Sequence, residues 1–189
     1  MSSDDQLSDG FISFQRVEKS ASERTLRNYS QALAAFQNYM EESKFPGWKA
    51  CVDEDFRHYL YHCMQLEMAR STIRLRFSAL RSFYKYLIHR HGLAKSPLVE
   101  LQMPKQERKL PTILNPTQVV ELLEAPLKAE LSKQAPDWLP LRDTAILELF
   151  YSTGLRLSEL TELQVNDIDH SQGVAKILGK GAKERIVPI

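Results

Sequence analysis

A short proline-rich segment divides this chain into two parts. Residues 102–116 contain three prolines among mostly polar residues, and each proline fixes its own φ, removes a backbone donor and disfavours helical backbone at the preceding residue. We therefore predict that residues 102–115 form a linker between a first domain at 10–101 and a second domain at 116–189. Residues 1–9, rich in Ser and Asp, are expected to be disordered.

The first domain is predicted to contain four helices. Apolar residues recur in it at steps of three and four, which places them on one stripe of a helix. The spacing predicts a first helix that ends near Ser20, a second that begins after the N-cap Ser22, and a third and fourth at about 52–67 and 71–91.

The fourth predicted helix has a basic arc beside its apolar stripe. Residues 68–99 contain seven Lys and Arg and no acid, and at 100° per residue the core of this basic set falls within about 60°. Most basic faces are simply solvated, but a solvated face usually interleaves acids to form i,i+4 pairs, and this one does not. We therefore predict that the arc contacts DNA. The predicted contact residues are Arg70, Ser71, Thr72, Arg74, Arg76, Arg81 and Lys85.

The distribution of charge along the chain also favours the first domain as the part that contacts DNA. The formal net charge is only +1, but residues 1–110 carry 17 Lys and Arg against 13 Asp and Glu, whereas residues 111–189 carry 8 against 11. The first part is therefore the one expected to attract a polyanion.

The second domain is predicted to combine helices with a β-hairpin. Asn115 followed by Pro116 is typical of a helix start, and a proline-broken loop is expected from 125 to 140. The further predicted elements are a helix at 141–151 that stops at Gly154, a short helix at about 157–163, and strands at 174–178 and 185–189. Because the chain ends inside the last strand, we expect Ile189 to be a truncation point.

Two basic residues of this domain are candidates for phosphate binding. Arg156 follows a helix-breaking glycine at the head of the short helix, and Lys180 lies between two glycines in the predicted hairpin. Backbone on both sides can hold and aim such side chains, so we predict that both meet at one phosphate. The alternative for Arg156 is a simple ion pair with Glu159, three residues further along the helix.

These residues resemble motifs of the tyrosine recombinases, the phage-integrase superfamily, and most closely those of the bacterial Xer type. The resemblance extends over nearly the whole chain and rests on segments 71–74, 78–84, 141–145, 153–160 and 179–185. It implies a mainly α fold: a SAM-like four-helix core-binding domain, then the first half of an α+β catalytic domain with helices and a β-hairpin.

The resemblance also implies a mechanism and roles. A tyrosine attacks a DNA phosphodiester to give a 3′-phosphotyrosine, which a partner strand later resolves without a cofactor. Arg156 would be the first catalytic arginine, Lys180 the general acid and Glu159 a support that orients the arginine. Lys183 and Arg185 would be DNA backbone contacts or exposed strand residues.

The implied partners are a duplex recombination site, a homo- or hetero-tetramer of recombinase protomers and, for a Xer-type protein, a cell-division DNA translocase. None of the seven tyrosines matches the nucleophile of the family. We therefore expect this chain to bind DNA but not to cleave it.

Other classes of function remain as alternatives or are disfavoured. Cys51 and Cys63 lack the spacing of metal ligands, so we expect free thiols, no metal and a reducing compartment; the absence of a leader or a long apolar run favours the cytoplasm. The alternatives are a non-catalytic DNA-binding module, an integrase of a phage, plasmid or integron, and a helical protein-interaction module.

Overall fold

The chain forms two compact units in a computed structural model, one spanning Met1–Lys109 and the other Leu110–Ile189. The structure describes residues 3–44, 46–105, 110–179 and 183–189, without the side chain of Lys183. Each unit is described below by itself.

The first unit is helical. Its helices are α1 Ser3–Val17, α2 Glu23–Ser43, α3 Gly47–Ala50, α4 Asp53–Gln65 and α5 Arg70–His91. The four predicted helices are confirmed, and Ser22 caps α2 by accepting a hydrogen bond from the Thr25 N–H at 3.3 Å. The single turn α3, which follows Pro46, was not predicted.

The expected disorder of residues 1–9 is wrong for the described residues, because α1 already begins at Ser3. Two acids near its start are tied to other elements: Asp4 Oδ1 accepts from the Trp48 N–H at 3.4 Å, and Asp5 Oδ1 accepts from Gln37 Nε2 at 2.6 Å. Leu7 is buried one turn later. The partners come from α2 and α3, so the polar composition of the N-terminus does not predict its order.

Aromatic side chains form much of the core of this unit. Phe36 on α2 stacks on Phe56 of α4 with ring centroids 4.7 Å apart, and it meets the ring of Tyr59 edge-on at 4.9 Å. Trp48 is fully buried and its ring lies edge-on to Phe83 of α5. Burial of such large rings is the main stabilising contribution in a unit of this size.

The second unit places helices before a small antiparallel sheet. Its elements are α6 Pro116–Lys128, α7 Leu139–Thr153, α8 Leu157–Glu162, a 3-10 turn Val165–Asp167, β1 Ile168–Asp169, β2 Val174–Gly179 and β3 Lys183–Pro188. The sheet order is β1-β2-β3. The predicted hairpin is confirmed, whereas β1, only two residues long, was not predicted.

Both boundaries of the predicted loop 125–140 are wrong, because α7 already begins at Leu139 and α6 ends later than expected. The loop was expected to begin at 125, but α6 continues through Pro126 to Lys128. A proline so close to the end of a helix removes only one backbone donor from the last turn, so the helix can continue for two more residues.

The hairpin packs one face against the end of α7 and against α8. Ala175 and Ile177 on β2 are buried with Leu155, while Lys176 and Leu178 between and beyond them are exposed. This alternation defines an inner and an outer face of the sheet. In the described part of the chain, no helix combines the length and the apolar character needed to cross a membrane.

Candidate active site

Backbone geometry fixes the position of Arg156. Helix α7 ends at Thr153 and is capped by Gly154, whose φ of +62° is left-handed and whose N–H donates to the Phe150 carbonyl at 3.0 Å. A residue with a Cβ adopts this conformation at a cost, so glycine suits the position. Leu155 is then buried, and Arg156 is the N-cap of α8 with its side chain 72% exposed. The arginine therefore projects from the short turn that joins α7 to α8.

The carboxylate of Glu159 holds Arg156 from within the protein. Glu159 stands at the third position of α8, where its Oε2 accepts the backbone N–H of Arg156 at 2.8 Å and its Oε1 accepts from Arg156 Nη1 at 2.9 Å. The side chain of Glu159 is only 4% exposed. The predicted pairing of these two residues is thus present, and it leaves most of the arginine side chain open to solvent.

Arg185 approaches the same carboxylate from the hairpin. Its Nη1 donates to Glu159 Oε1 at 2.8 Å and its Nη2 donates to Oε2 at 2.7 Å, which is the bidentate geometry of a guanidinium–carboxylate pair. The sequence suggested a DNA contact or an exposed strand residue and did not name this partner. The sequence carries only part of the signal, since strand alternation puts Arg185 on the same side of the strand as the apolar Val187. The observed register, in which Arg185 lies opposite the buried Ile177, places that side on the inner face of the sheet.

The electrostatics of the cluster keep Glu159 ionised. The pKa of Glu159 is held far below its ordinary value, first by the hydrogen bonds from the Arg185 guanidinium and then by the backbone N–H of Arg156. The carboxylate in turn raises the pKa of Arg185. Two guanidinium groups and one carboxylate leave a net positive charge, which suits an anion at the exposed Arg156.

The second predicted catalytic residue, Lys180, lies outside the described residues, as does the side chain of Lys183. Strand β2 ends at Gly179 and β3 begins at Lys183. The meeting of Arg156 and Lys180 at one phosphate therefore stays a prediction.

In the first unit, the basic face of α5 contacts the segment that follows this helix. Arg81 Nη2 donates to the Leu101 carbonyl at 2.9 Å, Arg74 Nη1 to Pro104 at 3.3 Å and Arg70 Nη1 to Lys105 at 2.6 Å. The acceptors are backbone carbonyls, which no side-chain pattern in the sequence reveals. Each guanidinium keeps further donors for an anion.

The remaining predicted DNA contacts differ in exposure. Ser71, Thr72 and Lys85 are exposed, whereas Arg76 is half-buried and donates to the hydroxyl of Tyr59 at 3.2 Å. Arg76 therefore has a partner inside the helical unit. Within the described residues, no three His, Cys, Asp or Glu side chains are grouped so that they could hold a metal ion.

Comparison with known protein families matches both units. The family described as phage integrase, N-terminal SAM-like domain, matches residues 9–91, and the phage integrase family matches residues 112–189. A helical SAM-like domain followed by a phage-integrase domain defines a class of protein, the phage integrases. The chain belongs to the phage integrase family, the tyrosine recombinases.

Curated relatives of the chain are named Xer recombinases. The chain is 37% identical over 185 residues to tyrosine recombinase XerC of Halalkalibacterium halodurans, a match that covers 98% of this chain and 59% of the relative. It is 36% identical over 180 residues to tyrosine recombinase XerD of Oceanobacillus iheyensis, covering 95% and 58%. The chain thus spans about three fifths of the length of these relatives.

Solved structures share the fold. The XerH recombinase bound to its palindromic difH substrate, in a post-cleavage complex, matches with a TM-score of 0.67 at 21% identity, over 95% of this chain and 52% of that chain. A lambda integrase tetramer bound to a Holliday junction matches with a TM-score of 0.67 at 18% identity, over 97% and 49%. At this identity the similarity concerns the fold.

Proposed function

We propose that this chain provides the DNA-binding domain and the first catalytic residues of a site-specific DNA recombinase of the Xer type. One observation carries the proposal. The guanidinium of Arg156 is exposed, while the buried carboxylate of Glu159 accepts hydrogen bonds from Arg156 Nη1 and from the Arg156 backbone N–H. Relatives named XerC and XerD support the subtype. Such a protein would act in the cytoplasm on the chromosome, where it would resolve chromosome dimers.

In the proposed reaction, Arg156 binds the non-bridging oxygens of the scissile phosphodiester. Phosphoryl transfer depends mainly on positioning and on neutralising the charge that develops on these oxygens. A guanidinium does this well because it stays protonated and can donate two parallel hydrogen bonds. Lys180 would give a proton to the leaving 5′-oxygen, since an amine can lose a proton at accessible pH.

The nucleophile of the proposed reaction is a tyrosine that none of the seven tyrosines here matches. We propose that cleavage requires a polypeptide that continues past Ile189 to that residue. The attack would form a phosphotyrosine bond to the 3′ side of the break and release the 5′-oxygen, which takes a proton. The reverse step restores the DNA backbone, so no external source of energy is needed.

We further propose that the working assembly contains four recombinase protomers on two duplexes. Solved relatives in DNA-bound complexes support this, among them the lambda integrase tetramer on a Holliday junction. A DNA translocase of the cell-division machinery is the proposed regulatory partner of a Xer-type protein.

The proposal is tested first by DNA binding of the 189-residue chain. An electrophoretic mobility shift on duplex DNA, run at a low and a high salt concentration, should show an affinity that falls steeply with salt, with about −0.9 in the log–log slope for each neutralised phosphate. A protein-interaction module predicts no such binding, and that result would exclude the proposal.

Covalent chemistry is tested with a nicked duplex that traps phosphotyrosine intermediates. This chain should form no adduct, whereas a longer protein that reaches the tyrosine should form one and should lose it on Arg156→Ala. An adduct from the 189-residue chain would show that one of its own tyrosines is the nucleophile. A longer protein that binds but never forms an adduct would support the non-catalytic DNA-binding module.

A further inference from the structure

We propose that Arg185 is a positioning residue for the active site, which acts on Arg156 through the carboxylate of Glu159. The inference rests on the proposed function, because it gives Arg185 a role in presenting Arg156 to phosphate. It replaces a direct DNA contact with an indirect role.

The hairpin brings Arg185 to Glu159 by strand alternation. Arg185 lies opposite the buried Ile177, and two residues further along, Val187 lies opposite the buried Ala175. These residues share the inner face of the sheet, which packs against Leu155 and the neighbouring residues of α7 and α8. Arg185 is accordingly 37% exposed, about half as much as Arg156.

The contacts form a chain in which Glu159 is the shared element. Each carboxylate oxygen accepts one hydrogen bond from Arg185, at 2.8 and 2.7 Å, and one from Arg156, at 2.9 and 2.8 Å. Because both oxygens are bound by the fork of Arg185, the carboxylate plane cannot rotate without breaking a bond to it. The orientation of that plane sets the position of the Arg156 donors.

Removal of Arg185 would change the charge environment as well as the geometry. Glu159 would remain almost fully buried, with Arg156 as its one remaining partner among these contacts. A buried carboxylate with too few donors takes up a proton more readily or draws its remaining partner inward. Uptake of a proton removes the charge that holds Arg156 Nη1, and an inward pull withdraws the guanidinium from the surface, so either response disturbs the presentation of Arg156 to phosphate.

A lysine cannot replace this function fully. Lysine conserves the charge but presents a single ammonium group, so it cannot bind both carboxylate oxygens in the parallel arrangement. Arg185→Lys should therefore give an intermediate result, and Arg185→Gln the larger effect.

The experiment uses the 189-residue chain labelled with ¹⁵N-arginine and ¹³C-glutamate. NMR of the free protein reports whether the Nη groups of Arg156 are held, through separate and slowly exchanging resonances, and a pH titration of Glu159 Cδ reports its ionisation. In Arg185→Gln we expect loss of the separate Arg156 resonances and a rise in the pKa of Glu159. In Arg185→Lys we expect the separate Arg156 resonances to be partly retained and the pKa of Glu159 to rise less.

The matched control is Lys176→Met on the same hairpin. It removes an exposed ion pair in which Lys176 Nζ and Glu184 Oε1 are 2.9 Å apart, and it leaves all four hydrogen bonds to the Glu159 carboxylate in place. Neither Arg156 nor Glu159 signals should change in this variant. Backbone amide spectra of β2 and β3 check that the hairpin remains formed in each variant.

The inference is overturned if Arg185→Gln retains the hairpin and leaves the Arg156 resonances and the Glu159 titration as in the parent chain. If Arg185→Gln fails to fold, Arg185→Lys decides: unchanged Arg156 resonances in that variant exclude a role for the two-pronged contact. These measurements need no DNA. A separate comparison of Arg156→Ala with the parent chain for binding to duplex DNA tests the proposed function, and either result can fail without the other.

Discussion

The carboxylate of Glu159 holds Arg156 at two points, by accepting the backbone N–H at 2.8 Å and Nη1 at 2.9 Å. The first bond satisfies a backbone donor at the start of α8, and the second orients the guanidinium. The buried carboxylate of Glu159 thus both completes the start of α8 and orients the exposed guanidinium of Arg156. An ion pair with Glu159 and a phosphate-binding role are therefore compatible interpretations of Arg156.

The first prediction concerns Glu159→Gln. The amide has nearly the same shape, but it has no charge, and its NH₂ group would face guanidinium donors. We expect the thermal transition of the second unit to fall by several degrees, together with a loss of ordered Arg156 resonances. The control is Glu162→Gln, at an exposed position of the same helix, which should leave the thermal transition and the Arg156 resonances unchanged. If the two variants behave alike, Glu159 does not hold Arg156 as described.

The second prediction is a dependence of stability on pH. Since the pKa of Glu159 in the folded state lies below its ordinary value of 4.5, its contribution is fully present above that value and is lost as the pH falls towards the folded-state pKa. Unfolding of the parent chain and of Glu159→Gln, followed from pH 7 downwards, should show a stability difference that is constant near neutrality and shrinks below about pH 4.5. A stability difference that grows as the pH falls would contradict a lowered pKa of Glu159 in the folded state.

The third prediction concerns the docking of α1. Phe11 has no exposed surface and lies against Tyr29, Phe83 and Tyr86. Phe11→Ala should reduce the free energy of unfolding of the first unit by about 3–5 kcal/mol, as for other buried aromatic truncations. Denaturant titration measures this value.

The control for that prediction is Val17→Ala on the same helix. Val17 is 77% exposed, and its truncation should change the free energy of unfolding by less than about 0.5 kcal/mol. Similar small effects of both substitutions would mean that α1 contributes little to the stability of the unit.

The fourth prediction concerns the two thiols. Burial is the main reason that the pKa of Cys51 rises to about 12, with the charge of Asp55 second, and burial also raises the pKa of Cys63. The thiolate is the reactive form, so both thiols should react with iodoacetamide at pH 8 far more slowly in the folded chain than in urea. Mass spectrometry follows the reaction, and rapid modification of either thiol in the folded chain would contradict the burial.

Local patterns in the sequence predict much of this fold. The apolar period and Ser22 predict α2, and Asn115 with Pro116 predicts the start of α6, because these signals act within one turn of helix. The order of α1 depends instead on residues more than thirty positions away, such as Gln37 and Trp48. No local pattern contains that information.

The candidate site shows the same division. The spacing of Arg156 and Glu159 is local and predicts their contact, whereas Arg185 reaches Glu159 from 26 residues further along the chain. Its inner-face position follows from the alternation of the hairpin once the register is known. The carbonyl partners of Arg70, Arg74 and Arg81 have no sequence signal, because every residue carries the same acceptor.

The last prediction separates two kinds of basic residue on α5. Lys85 is exposed, whereas Arg81 is half-buried and binds the Leu101 carbonyl. If this face contacts DNA phosphates, Lys85→Ala should weaken binding and reduce the salt slope by about 1 without a change in stability. Arg81→Ala should weaken binding and also speed amide exchange in segment 101–105. Fluorescence anisotropy over a salt series measures binding, and hydrogen exchange measures the segment.

The control for this face is Lys49→Ala, because Lys49 is an exposed residue of α3 and is not part of the basic arc. Its substitution should change neither the salt slope nor the exchange of segment 101–105. If Lys85→Ala and Lys49→Ala bind DNA equally well, the basic arc of α5 is not the contact surface. In that case the main role of the arginines in the arc is structural, because their guanidinium groups donate hydrogen bonds that hold segment 101–105 against α5.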